Sequence, residues 1–323
     1  MDYVRDLREK IEISGVFSNY HLSEEYAVGS NGIIYFANAK SEHRSPSAIA
    51  LKTVLPQNII GNNQFIKDLE REFGKWLKIP PHENILKPRG LKKIQYFYNK
   101  GACDRKDPLP VELPIMEMEW ADGSLRDWIT NERYDMKDRI IALIYAFNGL
   151  AHLYRHGISG HGDLKPENIL FSDATPKLIQ LSEETLQGSL PFIAKIADFG
   201  LSDIWEVSND YHRGAREYLA PERLAEKTER TFEKEKSDIF SMGVIAAELI
   251  LSEHPSKNLK KMKKSDGNWV RGCSNMNWNL DTINSARIKD LITSCLNIDP
   301  KERPSACVAC EILLEELKEK YKT

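Results

Sequence analysis

The hydrophobic pattern of this 323-residue chain changes character near residue 120, and this change limits the folds open to it. Before that point, short segments rich in β-branched and apolar residues predict strands, including a hairpin from 31–39 and 48–54. After it, apolar residues recur at helical spacing over 136–157 and 237–251, which predicts two long helices. A β-rich part followed by an α-rich part is typical of the α+β class.

Composition excludes several other classes. Hydrophobic residues make up 41% of the chain and charged residues 29%, as in folded globular proteins and unlike disordered ones. Forty-five Lys and Arg nearly balance 48 Asp and Glu, so no overall positive field favours nucleic acid as a partner. The N-terminus lacks the apolar core of a secretory signal, and no apolar run approaches the ~18 residues of a membrane span.

Cysteine usage indicates a reducing compartment. The five cysteines are odd in number and sparse, so we expect a cytoplasmic protein rather than a disulfide framework. Cys307 and Cys310 have a metal-like spacing, but they lie on a segment with helical periodicity and no second ligand pair accompanies them. We interpret them as structural thiols of a terminal helix.

One loop concentrates chemistry-bearing groups. Residues 161–168, His-Gly-Asp-Leu-Lys-Pro-Glu-Asn, supply a carboxylate, an ammonium and an amide directly after a predicted long helix, and Asp198-Phe-Gly follows 30 residues later. Phosphoryl transfer needs these group types, because a carboxylate orients the attacking hydroxyl and oxygen ligands hold Mg²⁺ on the phosphates. The motifs also come in the expected order along the chain.

On these motifs the chain resembles the protein kinase family over nearly its whole length. The resemblance implies a bilobal α+β fold, with a small β-rich lobe that carries one main helix and a larger, mostly helical lobe. The implied boundaries are an N-terminal extension at 1–20, the small lobe at 21–118, a hinge at 119–121 and the large lobe at 122–323. It also implies ATP and Mg²⁺ as cofactors, with Mn²⁺ as an alternative metal.

The same resemblance assigns roles within the loop. It makes Asp163 the catalytic base and Lys165 the contact to the γ-phosphate, and it makes Asn168 and Asp198 the metal ligands. Since tyrosine kinases usually carry Ala or Arg at the position of Lys165, a Ser or Thr hydroxyl of a protein is the expected acceptor.

The ATP-binding residues are likewise implied by the resemblance. Residues 27–34 are similar to a glycine-rich loop with alanine at the first glycine position, and Lys52 would grip the α- and β-phosphates. Its partner should be Glu70 or Glu72 on the helix predicted over 63–79; we prefer Glu72. The full set of nucleotide contacts is Ala27, Gly29, Gly32, Ile34, Ala50, Lys52, Met118 as gatekeeper, Glu119, Ala121 and Leu170.

Three further residues have an expected structural role. Gly214 to Glu222 is similar to the peptide-binding end of the activation segment, and Glu222 is expected to pair with Arg303, because a buried carboxylate needs such a partner. Asp238 is expected to brace the loop 161–168.

Besides Ala27, the chain departs from the family pattern at two more positions. Gly162 replaces the arginine that binds an activating phosphate, so we expect activity without phosphorylation at Ser202, Ser208 or Tyr211. Ala215 replaces a threonine that commonly contacts the base, which puts efficiency on protein substrates in doubt.

Two stretches of the chain lie outside the motifs that it shares with the protein kinase family. Residues 172–191 are expected to form an inserted surface loop between two strands, with a docking element as the alternative. Residues 257–264 carry five lysines, which indicates a solvated loop or a surface for an acidic partner.

Two other functions remain open at this point. His-Gly-Asp also begins the catalytic loop of aminoglycoside phosphotransferase-like enzymes, so a small-molecule kinase is one alternative. Ala27, Gly162 and Ala215 would fit a nucleotide-binding pseudokinase scaffold, although every charged group that the chemistry requires is retained.

Overall fold

The computed structural model describes residues 3–29, 32–41, 47–55, 58, 63–98, 109–129, 131, 134–173, 192–199, 216–224, 234–255 and 278–321. The chain divides into two compact units. The first comprises Met1–Lys78 and Lys87–Ala121, and the second comprises Ile79–Leu86 and Asp122–Thr323.

The first unit is built on a five-stranded antiparallel sheet of order β1-β2-β3-β5-β4. Its strands are β1 (Tyr20–Val28), β2 (Ile33–Ala39), β3 (Ala48–Thr53), β4 (Pro88–Tyr98) and β5 (Leu109–Glu119). The predicted hairpin from 31–39 and 48–54 is therefore confirmed as β2 and β3. In a second antiparallel pair, β4 and β5 are paired from Pro88 to Tyr98.

Two helices cover opposite faces of this sheet: α1 (Tyr3–Ile13) and α2 (Gln64–Trp76). Tyr96 of β4 donates its hydroxyl to Asp6 of α1 at 2.8 Å, whereas Lys93 pairs with Glu70 of α2 at 3.0 Å. Because side chains alternate along a strand, positions 93 and 96 lie on different faces. The extension thus adds a helix to a unit for which one main helix was expected.

The second unit is mostly helical. Its helices are α3 (Leu125–Ile129), α4 (Met136–Arg155), α5 (Pro221–Leu224), α6 (Lys234–Leu251), α7 (Ala286–Cys295) and α8 (Ala306–Lys320). A small antiparallel sheet holds β6 (Gly123–Ser124), β7 (Ile169–Asp173) and β8 (Phe192–Ile196). The α+β class is confirmed, and no described helix is long and apolar enough to cross a membrane.

Helices α4 and α6 form the core of this unit. Asp135 caps α4 through a reciprocal pair of contacts with Asp138, and at the other end Gly157 takes a positive φ of 77° that favours glycine. Nearly every residue of α6 from Ser237 to Leu249 is buried, as its continuous apolar pattern predicts.

The segment Ile79–Leu86 groups with the second unit, although the resemblance places it in the small lobe. Asn84 is fully buried and donates its amide to the Ala194 carbonyl at 3.0 Å. Backbone bonds from Leu86 to Ile196 and from Ile196 to Asn84, each 2.9 Å, attach the segment to β8. These bonds explain why the segment stays with the helical unit.

Acidification should destabilise the second unit through His82, whose ring stacks on His152 at 4.3 Å. Burial, together with the charges of His152, Arg155 and His156, lowers the pKa of His82 from 6.5 to about 4. The unfolded chain therefore binds the extra proton between these two values, and the free energy of unfolding falls as pH falls through this window. In urea titrations across the window, His82→Gln should lose less stability than the wild type.

His21, an exposed histidine of β1, provides the matched control. His21→Gln should follow the wild-type pH dependence. If His82→Gln follows it equally, His82 is not the group responsible.

Candidate active site

Lys52 and Glu72 form an ion pair inside the first unit. Lys52 lies on β3 and Glu72 on the apolar side of α2, and Lys52 Nζ is 2.7 Å from Glu72 Oε1. Their side chains are only 15% and 7% exposed, so water screens the pair little. Glu70, the other candidate, pairs with Lys93 instead.

One face of the sheet gathers the residues expected around a nucleotide. Lys52 pairs with Ile34 of β2 and with Met116 of β5. Ala50, two residues earlier on β3, pairs with Phe36 and Met118 of the same two strands. Because alternate residues share a face, Ile34, Ala50, Lys52 and Met118 lie on the same side. Met118 is 5% exposed, as expected for a residue packed in the sheet.

The glycine-rich turn joins β1 to β2. Ala27 pairs with Ile34 across the hairpin, and Gly29 donates its N–H to the Gly32 carbonyl at 2.9 Å. A Cβ atom at Gly32 would lie 2.4 Å from the Thr53 carbonyl oxygen, so only glycine fits beside β3. The close approach of β2 to β3 thus supplies a structural reason for Gly32.

The predicted adenine-binding residues fall in both units. Glu119 donates its backbone N–H to the Lys87 carbonyl at 2.9 Å, so an adenine contact would have to use its carbonyl. Ala121 follows as the last residue of the first unit. Leu170 belongs to β7 of the second unit, where it pairs with Ser124 and Lys195.

The loop 161–168 brings three of the predicted catalytic groups together. Lys165 Nζ donates to Asp163 Oδ2 at 2.9 Å. Asn168 donates its amide to the Asp163 carbonyl at 2.7 Å and to Oδ2 at 3.3 Å. Burial alone would lower the pKa of Lys165, but the charges of Asp163, Asp198 and Glu167 outweigh it and raise the pKa, which keeps the ammonium protonated.

Asp198 lies two residues beyond Ile196, the last residue of β8. Its φ of 65° is unusual for a residue other than glycine, and such conformations are held in place by their surroundings. The next residue, Phe199, is fully buried and packs edge-to-face on His161 at 5.0 Å. His161 also contacts the Ala197 carbonyl through Nε2 at 2.9 Å, which ties this turn to the loop 161–168.

Asp238 of α6 hydrogen-bonds to the start of the loop 161–168. Its carboxylate accepts the backbone N–H groups of His161 at 2.5 Å and Gly162 at 3.0 Å, and the hydroxyl of Tyr154 at 3.1 Å. Burial raises the pKa of Asp238, and the nearby His161 and Arg223 together with the two backbone bonds oppose that shift. The loop therefore depends on a buried carboxylate.

Glu222, whose side chain is 16% exposed, and the buried Arg303 form the ion pair that the sequence predicts. The two side chains meet through parallel bonds of 2.7 and 2.9 Å, and Arg303 is 0% exposed at its side chain. Arg303 also donates to the carbonyls of Asn297 and Lys236, which satisfies the buried guanidinium.

Sequence reasoning missed Arg126 of α3. Its guanidinium donates to Glu167 at 2.8 Å, to Glu248 at 2.8 Å and to the Tyr218 hydroxyl at 2.6 Å. These partners come from the catalytic loop, α6 and the turn at Arg216–Tyr218. The local sequence at 123–127, Gly-Ser-Leu-Arg-Asp, does not indicate these contacts, because the partners of Arg126 lie up to 122 residues away.

Several predicted features lie outside the described residues. They are Gly200, Gly214, Ala215, the sites Ser202, Ser208 and Tyr211, the lysine run 257–264 and residues 174–191 of the insertion.

Three predicted site residues of the second unit carry oxygen atoms of the type that a hard divalent cation prefers as ligands. Asp163 and Asp198 offer carboxylates, and Asn168 uses its amide nitrogen toward Asp163, which leaves its oxygen as the ligand atom. Within the described part of the chain, no cluster of three or more His, Cys, Asp or Glu forms a metal site by itself. Phosphate oxygens and water would have to complete the coordination of Mg²⁺.

Comparison with known proteins defines the class. Residues 20–314 match the protein kinase domain, which is most of the chain. The protein therefore belongs to the protein kinase family, and the resemblance seen in its motifs is confirmed.

The chain is similar to protein kinases from several organisms. It is 28% identical over 303 residues to CDPK-related kinase 5 of Arabidopsis thaliana, covering 90% of this chain and 43% of that protein. It is 26% identical over 301 residues to the dual specificity protein kinase zak2 of Dictyostelium discoideum (89% and 43%), and 25% identical over 296 residues to the serine/threonine-protein kinase TAO2 of Rattus norvegicus (90% and 20%). The chain thus spans less than half of each of these relatives.

Removal of Arg303 should destabilise the second unit strongly. Arg303→Met leaves Glu222 without its bidentate partner, and breaking a buried pair from one side typically costs about 3–5 kcal/mol. Urea unfolding should report a loss of this order. The control is Arg287→Met, which breaks the partly exposed Arg287–Glu319 pair and should cost far less, because solvent screens that pair. Equal losses in both variants would contradict the assignment.

Proposed function

We propose that this protein is an ATP-dependent serine/threonine protein kinase. The observation that carries the proposal is the convergence of Lys165 and Asn168 on one carboxylate, Asp163, within eight residues of chain. Membership of the protein kinase family supports it independently.

Asp163 is proposed as the catalytic base. Its Oδ2 accepts from Lys165 and Asn168, so the carboxylate is held in one orientation toward an acceptor hydroxyl. The Asp163 side chain is 12% exposed and that of Lys165 is 27% exposed, which leaves both reachable by a substrate. Lys165 would neutralise the charge that develops on the transferred phosphoryl group.

The remaining roles follow the same proposal. Lys52, oriented by Glu72, would bind the α- and β-phosphates, and Asn168 and Asp198 would hold Mg²⁺ or Mn²⁺ on the triphosphate. The glycine-rich turn at Ala27, Gly29 and Gly32 would cover the phosphates. The adenine contacts would come from Ile34, Ala50, Met118, Glu119, Ala121 and Leu170.

The preference for Ser and Thr acceptors rests on Lys165, with support from the name of the TAO2 kinase. The match to a dual specificity kinase makes tyrosine the acceptor to be tested against.

A small-molecule kinase is the second candidate function, favoured only by the His-Gly-Asp motif. The Glu222–Arg303 pair argues against it, because aminoglycoside phosphotransferase-like enzymes lack the Ala-Pro-Glu element. A pseudokinase scaffold is disfavoured by the intact Lys52–Glu72 pair and by the assembled loop.

A cytoplasmic location is part of the proposal. It is supported by the cysteines, because Cys295, Cys307 and Cys310 are all free thiols. The pKa of Cys310 is raised to about 11, first by burial and then by Cys307 and Glu311, so this thiol stays protonated and unreactive at neutral pH.

Replacing the proposed base should abolish phosphate transfer. Asp163→Asn keeps the size and two polar atoms of the side chain but removes the proton acceptor, so we expect a loss in kcat of at least about a hundredfold. Radiolabelled ATP with a peptide library, and with a panel of small alcohols, measures transfer. Nucleotide affinity should stay within about twofold of the wild type.

The matched control is Asp281→Asn, an exposed aspartate of the same unit whose side chain is 88% exposed. It should transfer phosphate at the wild-type rate. Unchanged transfer by Asp163→Asn would refute the assignment, and transfer to the alcohols instead of peptides would favour the small-molecule kinase.

Activity should not require a phosphate on the segment 198–222. Gly162 offers no side chain to bind one, so phosphatase treatment should leave kcat unchanged. The measurement compares treated and untreated enzyme, with mass spectrometry to establish the phosphate content. A large loss that is reversed by rephosphorylation within 198–222 would contradict this expectation.

A further inference from the structure

Arg223 is a buried cation beside the catalytic loop, and the roles proposed above do not use it. It lies on the short helix α5, directly after Glu222, and is 4% exposed. Its Nη1 donates to the Gly162 carbonyl at 2.5 Å. The segment Pro221–Leu224 therefore contacts the loop one residue before Asp163.

Keeping this guanidinium buried is costly, because burial disfavours the charged form. Burial lowers the pKa of Arg223 to about 10, and the negative charges of Asp238, Asp163 and Glu222 oppose the shift. The side chain consequently remains charged at neutral pH. A buried charge with such neighbours acts on the local electrostatics as well as on packing.

Arg223 and Asp238 hold Gly162 from its two sides. Asp238 accepts the Gly162 N–H at 3.0 Å, and Arg223 donates to the Gly162 carbonyl. Between these contacts Gly162 takes a φ of 87°, which is the left-handed region. Both flanking peptides are thereby fixed, and the second of them carries Asp163.

The other end of Arg223 is anchored. Glu222, its neighbour, is held by the bidentate contact with Arg303 and accepts the hydroxyl of Ser237 at 2.7 Å. The backbone N–H of Arg223 donates to the Ala220 carbonyl at 3.0 Å. The guanidinium therefore projects from a backbone that is fixed to α6.

We propose that Arg223 is a positioning residue that sets the orientation of Asp163 by clamping the Gly162–Asp163 peptide, and that it couples the segment 220–224 to the catalytic loop by a permanent internal charge. This inference rests on the proposed function of Asp163. In an enzyme activated by phosphorylation, a reversible phosphate contact would connect the segment to the loop. Here the contact from Arg223 makes that connection permanent.

Arg223→Met tests the proposal, since methionine preserves an unbranched stem and removes both the charge and the donor. We expect kcat to fall about tenfold or more, with the KM for ATP within about twofold of the wild type. Arg223→Lys keeps the charge without the planar donor fork, and its kcat should lie between the other two. The control Arg287→Met should leave both constants unchanged.

Amide hydrogen exchange gives a readout that does not depend on catalysis. Exchange in a peptide covering 161–165 should quicken in Arg223→Met and stay at the wild-type rate in Arg287→Met. If the wild type itself transfers no phosphate, the proposed function fails, and the exchange rates still decide whether Arg223 positions the loop.

A folded Arg223→Met protein with wild-type kcat overturns the proposal, as does unchanged exchange at 161–165. If the methionine variant does not fold, Arg223→Lys decides. A folded lysine variant with lowered kcat and unchanged KM for ATP supports the proposal, and one with wild-type kcat overturns it.

Discussion

The loop 161–168 depends on a buried carboxylate, that of Asp238. It accepts two consecutive backbone N–H groups of the catalytic loop and the hydroxyl of Tyr154. A carboxylate in this position is costly to bury, and the hydrogen bonds it receives are what make burial tolerable. Because α6 is buried along most of its length, the loop is attached to an element inside the core of the unit.

Charged networks repeat this arrangement at other points of α6. Glu222 and Arg303 attach the segment 216–224 at one end, and Arg126 joins Glu248, Tyr218 and Glu167 at the other. Each guanidinium donates hydrogen bonds to several partners at once, and such multidentate contacts fix the relative positions of the partners. The second unit thus uses arginines as connectors between elements that are far apart in the chain.

Sequence patterns could predict the elements and the loop chemistry but not the connectors. The hairpin and the long helices follow from periodicity, and the His-Gly-Asp to Asn168 spacing predicts a compact catalytic loop, because its groups are local in the chain. Arg126 and Arg223 could not be found this way, since their partners are 41 to 122 residues distant and an arginine on a short helix looks like a solvated charge. The sequence could identify Glu72 rather than Glu70 as the partner of Lys52, because the apolar face of α2 determines which carboxylate points toward β3.

The cover of the sheet by α1 extends the folded unit beyond its family boundary. The match to the kinase domain begins at residue 20, yet Val4, Leu7 and Ile11 are buried and Tyr35 of β2 donates its hydroxyl to the Val4 carbonyl at 2.8 Å. A chain trimmed to the family boundary would open the sheet face that carries Tyr35 and Tyr96 to water. For this protein, the folded first unit therefore includes a helix that lies outside the domain that gives the chain its class.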